Sequence, residues 1–406
     1  MGMVVYRIVG CLWMAACSFH PASLGGNGGT GSDASMIIDH PDGADAPADC
    51  AMWHAHHFNA CAIPAPSDGI TISGATTFST DTGSFTGSVT ATPAGGGITQ
   101  SDSTTAYLIS IQSLAITSTG SLRVIGAAPL VVASWGDIDV MGSIDAGSTA
   151  GQAGAGANPA SCTATKAMVG VNAVSSGGSG GGGGGGFNGM GGNGGIGDDP
   201  KCCAGGSGGG MVAKPTVVLG GCAGAISGQA GSGDLLNDPT AISTGGAGGG
   251  ALQLTSKTKI TILNGTITSG GEGGGGAPDG SACGGGGGGA GGFLGFDAPM
   301  IEFDGATIAA NGGGGGGSAP FANTGAAGED GQESAAQATG GALSTCSEAG
   351  MLGGAGAQMN GGSSTNPLES CGGAGGGGGV GYILTWGMLM KSNAPVVSPM
   401  DQPGPP

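Results

Sequence analysis

The sequence predicts an all-β chain, folded as a right-handed parallel β-helix with long glycine-rich loops. Three observations predict it. Apolar residues recur at every second position in short runs, such as Ile109 and Ile111, Leu122 and Val124, Ile138 and Val140, Leu252 and Leu254, and Ile301 and Phe303. Period two over four to six residues is the mark of a strand with one buried face. Ile226, Ile267 and Ile308 stand 41 residues apart, and each closes a glycine run, a strand, a turn and a second strand. A repeat of that size with paired strands predicts stacked units that bury their apolar faces against one another. Glycine supplies 100 of the 406 residues, which disfavours helices because each interior glycine costs about 1 kcal/mol relative to alanine. Collagen is excluded, since its glycines fall strictly at every third position and Gly181 to Gly186 and Gly312 to Gly317 are unbroken runs.

In chain order, residues 1–16 read as a secretory signal peptide: Arg7 precedes an apolar stretch from Ile8 to Ala16 that is too short for a membrane span. The stretch ends in Met14-Ala15-Ala16-Cys17, which resembles the lipobox of bacterial lipoproteins, although Met14 stands where that family usually has leucine. The resemblance implies that Cys17 is lipidated and anchors the chain. Ile8-Val9-Gly10-Cys11 fits the four-residue pattern better but leaves almost no apolar segment after Arg7; a cleaved signal with a chance cysteine is the other alternative. Ser18 carries no retention signal of the usual aspartate kind, so the outer membrane is the expected address.

Residues 17–49 read as a flexible acidic tether, with five aspartates and no lysine or arginine, spanning about 30 Å. Residues 50–69 are a Cys/His-rich loop capping the end of the helix. Export implies disulfides. Cys50 with Cys61 and Cys346 with Cys371 are the best pairs, because each brackets a loop-like stretch, and Cys162 is within reach of Cys202 or Cys203. His54, His56 and His57 lie inside the Cys50–Cys61 loop, where three imidazoles could hold Zn2+, Cu2+ or Ni2+; a solvated cap is the alternative.

Residues 70–390 carry the glycine-rich β-helix repeats, with corners at Asn264-Gly265 and Asp304-Gly305, where positive φ is cheap. An antiparallel β-sandwich is the alternative, with Asn264-Gly265 as a hairpin turn. Residues 391–406 read as a Pro-rich disordered tail. Leu122 to Ala133 and Gly136 to Gly147 resemble the opening coils of glycine-rich, β-helical surface lipoproteins of some Gram-negative bacteria, and the glycine blocks after Gly177 resemble their later coils. That resemblance spans about residues 70–390 and implies a fold and a location only. The composition also resembles PE-PGRS proteins, without the helical N-terminal domain of that family.

The chemistry that composition permits is narrow. The chain has 8 basic against 26 acidic residues, a net charge of −18, which disfavours nucleic acid because phosphate binding draws on lysine and arginine. No phosphate-binding Gly-x-x-x-x-Gly-Lys motif is present, and no cofactor is implied. Asp137, Asp139 and Asp145 are the densest carboxylate group on strand-like sequence, and Asp137 and Asp139, on one face with Arg123 on an adjacent coil, are the set for polysaccharide chemistry; solvent-facing aspartates on a strand are the simpler reading. The expected function is therefore a lipid-anchored cell-surface structural or adhesion protein without catalytic activity. Its expected partners are the membrane, through the anchor, and extracellular polysaccharide or neighbouring cells. The alternative is a carbohydrate-binding or polysaccharide-degrading β-helix protein.

Overall fold

The computed structural model describes residues 50–173, 177–197, 203–230, 241–278, 282–319, 324–342, 349–364 and 372–406. Cys17, the signal, the tether and the Cys346–Cys371 pair lie outside these residues. The fold is nearly all β, 30% strand and 3% helical.

Strands follow in order as β1 (Ile70–Ile72), β2 (Ala75–Ser79), β3 (Ser84–Gly87), β4 (Ala94–Thr99), β5 (Thr105–Ile111), β6 (Leu114–Ile116), β7 (Ser121–Ile125), β8 (Leu130–Ser134), β9 (Ile138–Val140) and β10 (Ser143–Asp145). After a long glycine-rich stretch come β11 (Ala251–Ser256), β12 (Lys259–Leu263), β13 (Thr266–Thr268), β14 (Phe293–Asp304), β15 (Thr307–Ala309), β16 (Tyr382–Ser392), β17 (Val396–Ser398) and β18 (Gln402–Pro403). They pair in three parallel ladders. The first runs β5, β8, β11 and the first halves of β14 and β16; the second runs β1, β6, β9, β12 and the second halves of β14 and β16; the third runs β2, β7, β10, β13, β15 and β17. The pairs β2–β3 and β4–β5 are antiparallel and cover the starting edges of the third and first ladders, where bare strands would invite pairing with other chains.

The alternating residues build the core. Leu130, Leu252, Leu294 and Ile383 stack in register on the first ladder. Ile70, Leu114, Ile138, Ile260 and Ile301 stack on the second, and Leu122, Ile144, Ile267 and Ile308 on the third. All are buried and meet in one cluster. The first ladder is buried on its outer side too, where Leu108, Val131 and Leu384 meet Trp53, Ile63, Phe187 and Val218. That explains the unbroken apolar run of β8, since a parallel strand covered on both faces loses its alternation.

Three sequence expectations are corrected. Asn264-Gly265 closes no hairpin: β12 and β13 belong to different ladders, and the turn carries the chain between them. Asn264, Gly305 and Asn393 follow the stacked residues Leu263, Asp304 and Ser392, and all take positive φ, at 52°, 59° and 52°. Ile226 is no member of the 41-residue repeat. It is 37% exposed among the glycines, and the residue below Ile267 is Ile144. Residues 391–406 are no disordered tail: β17 extends the third ladder, β18 pairs with β16, and the Trp386 indole donates to the Pro405 carbonyl at 2.8 Å.

The glycine runs, expected as loops, form a hydrogen-bonded layer. Gly182 and Gly185 donate to Gly285 and Gly288, Gly181 and Gly184 to Gly195 and Gly192, and Gly180 and Gly183 to Val171 and Met168, at 2.8–3.1 Å. The same residues accept from Gly206 and Gly209, from Gly376 and Gly379, and from Ala225 and Gly228. Every third residue therefore addresses the same neighbour, and one segment is bonded to six others. A period of three with lateral bonding is that of the polyproline II helix. None of the glycines in the runs 181–186, 284–289 and 312–317 has positive φ, so glycine is required there for a reason other than conformation. A Cβ on Gly184 would fall inside the Gly377 carbonyl, and one on Gly287 inside the Gly183 carbonyl. Glycine is demanded by close approach of backbones, as at a collagen axis.

Candidate functional site

The third ladder carries the first candidate. Its outward residues Thr77, Arg123, Asp145 and Thr268 lie in register on β2, β7, β10 and β13. Arg123 Nη1 meets Asp145 Oδ2 at 2.6 Å, while Asp145 Oδ1 accepts from Gly147 N–H at 2.8 Å and from the Thr268 hydroxyl at 3.1 Å. Asp145 is thus a fixed carboxylate, satisfied on both oxygens. Residues 328–333 wall the ladder on one side. Together they enclose two cavities, about 550 Å³ and about 450 Å³, and Asp145 and Glu333 line both.

The wall is acidic. Burial pushes the Asp330 carboxyl above the ordinary value; the Gly273 N–H that it accepts works against this, and the charges of Glu272 and Asp145 add to it. Glu333 is pushed up by burial first and by Asp145 second. The groove therefore holds one anchored carboxylate beside two that retain protons more readily, with the Arg123 guanidinium at its floor. Stability carries that signature. Between the ordinary carboxyl value and the raised one, the folded state binds more protons than the unfolded state, so stability falls as pH rises through the window. We expect the double variant Asp330→Asn, Glu333→Gln to flatten the decline in melting temperature as pH rises above the ordinary carboxyl value; an unchanged slope would remove these two groups as its source.

The expected set of Asp137, Asp139 and Arg123 does not converge. Asp139 projects from the second ladder, and Asp137 accepts from the Thr258 hydroxyl. Arg123 lies around the corner, on the third ladder, and turns to Asp145. Sequence reasoning missed Asp330 and Glu333. Their signal was compositional: Gly328-Glu329-Asp330-Gly331-Gln332-Glu333 packs three carboxyls into six residues of an otherwise uncharged stretch.

The histidine loop is the second candidate. Cys50 and Cys61 are bonded as expected, whereas Cys162 pairs with Cys222 rather than with Cys202 or Cys203. The loop does not cap an end of the fold; it lies along the outer side of the first ladder. Trp53 meets Trp135 edge-on at 5.0 Å, and His56 reaches Asp297, with N–H to Oδ2 at 3.0 Å and Nδ1 to Oδ1 at 3.2 Å. Burial raises the Asp297 carboxyl. His56 also stacks on Trp386, and His57 meets the same ring edge-on at 5.0 Å. Burial holds His57 below the ordinary imidazole value, while His54 is exposed. His56 thus serves as a hydrogen-bonding and stacking group and His57 as a packing group against the same ring, while His54 stands apart at the surface. Among the described residues no three histidine, cysteine or acidic side chains are grouped to hold a metal ion.

We expect Asp297→Ala to release the strap. Loss of this hydrogen-bonded, buried carboxyl acceptor costs about 1–3 kcal/mol, and proteolysis between Cys50 and Cys61 should accelerate without global unfolding; equal cleavage rates would show that the aromatic contacts suffice. Compared with family models, curated proteins and solved structures, the chain matches none.

Proposed function

We propose that the chain is a lipid-anchored structural and adhesion protein of the bacterial outer surface, built on a right-handed parallel β-helix and devoid of catalytic activity. The β-helix reading is supported by the order of the ladders. The chain passes first, second and third ladder in the same sequence from β5 to β17, and parallel crossovers are right-handed in about 98% of cases. The observation that carries the functional reading is the glycine layer, because a segment bonded to six neighbours forms a stiff body suited to display outside the cell. Cys17 supplies the anchor in this reading. Substituting Cys17→Ala should move the protein from the detergent phase to the aqueous phase. Deleting the gene should reduce attachment or cell cohesion, and unchanged attachment would count against the function.

A second reading is favoured by the groove. Two hydroxyls, a guanidinium and a carboxylate in register along Thr77, Arg123, Asp145 and Thr268 suit the hydroxyls of a glycan chain, and adhesion would then run through extracellular polysaccharide. The test is binding to a panel of immobilised polysaccharides. Arg123→Ala should weaken retention about tenfold, the scale of a lost charge-assisted hydrogen bond. Retention that is equal for both proteins excludes the groove, and release of unsaturated or reducing ends would replace adhesion by catalysis.

A further inference from the structure

Methionine is ordinarily a core residue, yet none of the eleven described methionines is buried. Nine are exposed, with Met52 at 75%, Met400 at 76% and Met388 at 57%. Met168, Met190, Met211 and Met359 are exposed in the glycine-rich segments. Three are set side by side by the second ladder. Met300 on β14 is in register with Met388 on β16, and Glu302 is in register with Met390. The burial of β14 alternates here, with Ile301 and Phe303 inward and Met300 and Glu302 outward. The four outward residues therefore form a two-by-two grid, about 4.8 Å across strands and about 6.6 Å along them, with thioethers at three corners and a carboxylate at the fourth. Lys259, in register with Met300, places its Nζ 2.6 Å from Glu302 Oε2.

We propose that Met300, Met388 and Met390 bind a soft monovalent metal ion, copper(I) or silver(I). Thioether sulfur selects soft ions, whereas hard dications require oxygen. The one oxygen donor of the grid is occupied by Lys259, so the patch offers little to calcium or magnesium and three polarizable sulfurs to a soft ion. Methionine's unbranched side chain lets the sulfurs converge, and the paired strands hold their origins fixed. Met388 and Met390 are open to solvent, which gives the ion a path of entry. The binding involves no change of oxidation state and no proton release, since a thioether is neutral and has no S–H.

The test uses the disulfide-intact protein labelled with carbon-13 at the methionine methyl groups and titrated with silver nitrate, which needs no reductant. One equivalent should shift the resonances of Met300, Met388 and Met390 ahead of all others. The variant M300L/M388L/M390L should lose at least tenfold in affinity for that equivalent. The variant M168L/M190L/M211L, which removes three methionines exposed elsewhere, should retain it. If the first triple variant fails to fold, the single variants M388L and M390L, each at an exposed position, should still lose about threefold or more. The proposal is overturned if silver shifts all methionine resonances together, if it leaves them all in place by going to Cys283 or a histidine, or if folded M388L and M390L bind it as tightly as the parent.

Discussion

Replacing Gly287 by alanine should unfold the glycine layer, lowering stability on the order of 3 kcal/mol, the upper range for an over-packed core. Gly287 is buried, donates to the Ala225 carbonyl and accepts from Gly246. A methyl group there would enter the Gly183 carbonyl, which is backbone and has no rotamer to move aside. The disturbance should spread, since Gly183 is bonded in turn to Met168 and Ala225. Gly96→Ala is the matched control, because nothing lies within 4 Å of its added Cβ, and loss of backbone entropy in the unfolded chain should leave it unchanged or slightly more stable. Urea unfolding of the two variants decides the matter. Equal midpoints would show the layer to be solvated rather than packed.

Loss of the Cys162–Cys222 bridge should have an effect at least as large. The cysteines are 60 residues apart, against 11 for Cys50–Cys61, and the entropy removed from the unfolded chain grows with loop length. The serine double variants should therefore lose about 4 and about 3 kcal/mol respectively. The longer bridge also fixes the short turn Ala160–Ala164 to a residue of the layer whose carbonyl accepts from Ala290, which the loop argument omits and which can only add to the cost. Unfolding midpoints under oxidising conditions give both values; a smaller loss at Cys162–Cys222 would mean that the glycine lattice persists in the denatured state.

The strands were legible because their signal is local. Ile260 and Ile262, or Leu252 and Leu254, declare a buried face by spacing alone, and the corner at Asn264-Gly265 declares itself by residue type. Ladder membership was less so. Ile267 and Ile308 do stack, but Ile226 shares their spacing by coincidence, since the register of a parallel ladder is set by contacts between distant segments. The partner of Cys162 was hidden for the same reason: pairing depends on where the excursion from 146 to 250 folds back. The glycine layer was the least legible part. Its bonds join backbone to backbone, so no side-chain pattern reports them, and a laterally bonded glycine has the composition of a disordered one. The groove inherits this opacity, because Asp330 is held by the Gly273 N–H, and Gly328 and Gly331 on either side of it by the carbonyls of Gly274 and Gly271.

The threefold repeat of the glycine layer makes counting, rather than identity, the quantity under selection. Each residue of such a helix turns the next amide by about 120° and advances it by about 3.1 Å. Adding one glycine before Gly314 in the run 312–317 would turn Gly314, which now donates to Glu329, towards Met351, and Gly315, which now donates to Met351, towards Gly286, the present partner of Gly316. Adding three would restore every direction and lengthen the rod by one turn. Homologous chains of this kind should accordingly differ in run length by multiples of three where the run lies inside the layer, and by any number where it emerges at the surface.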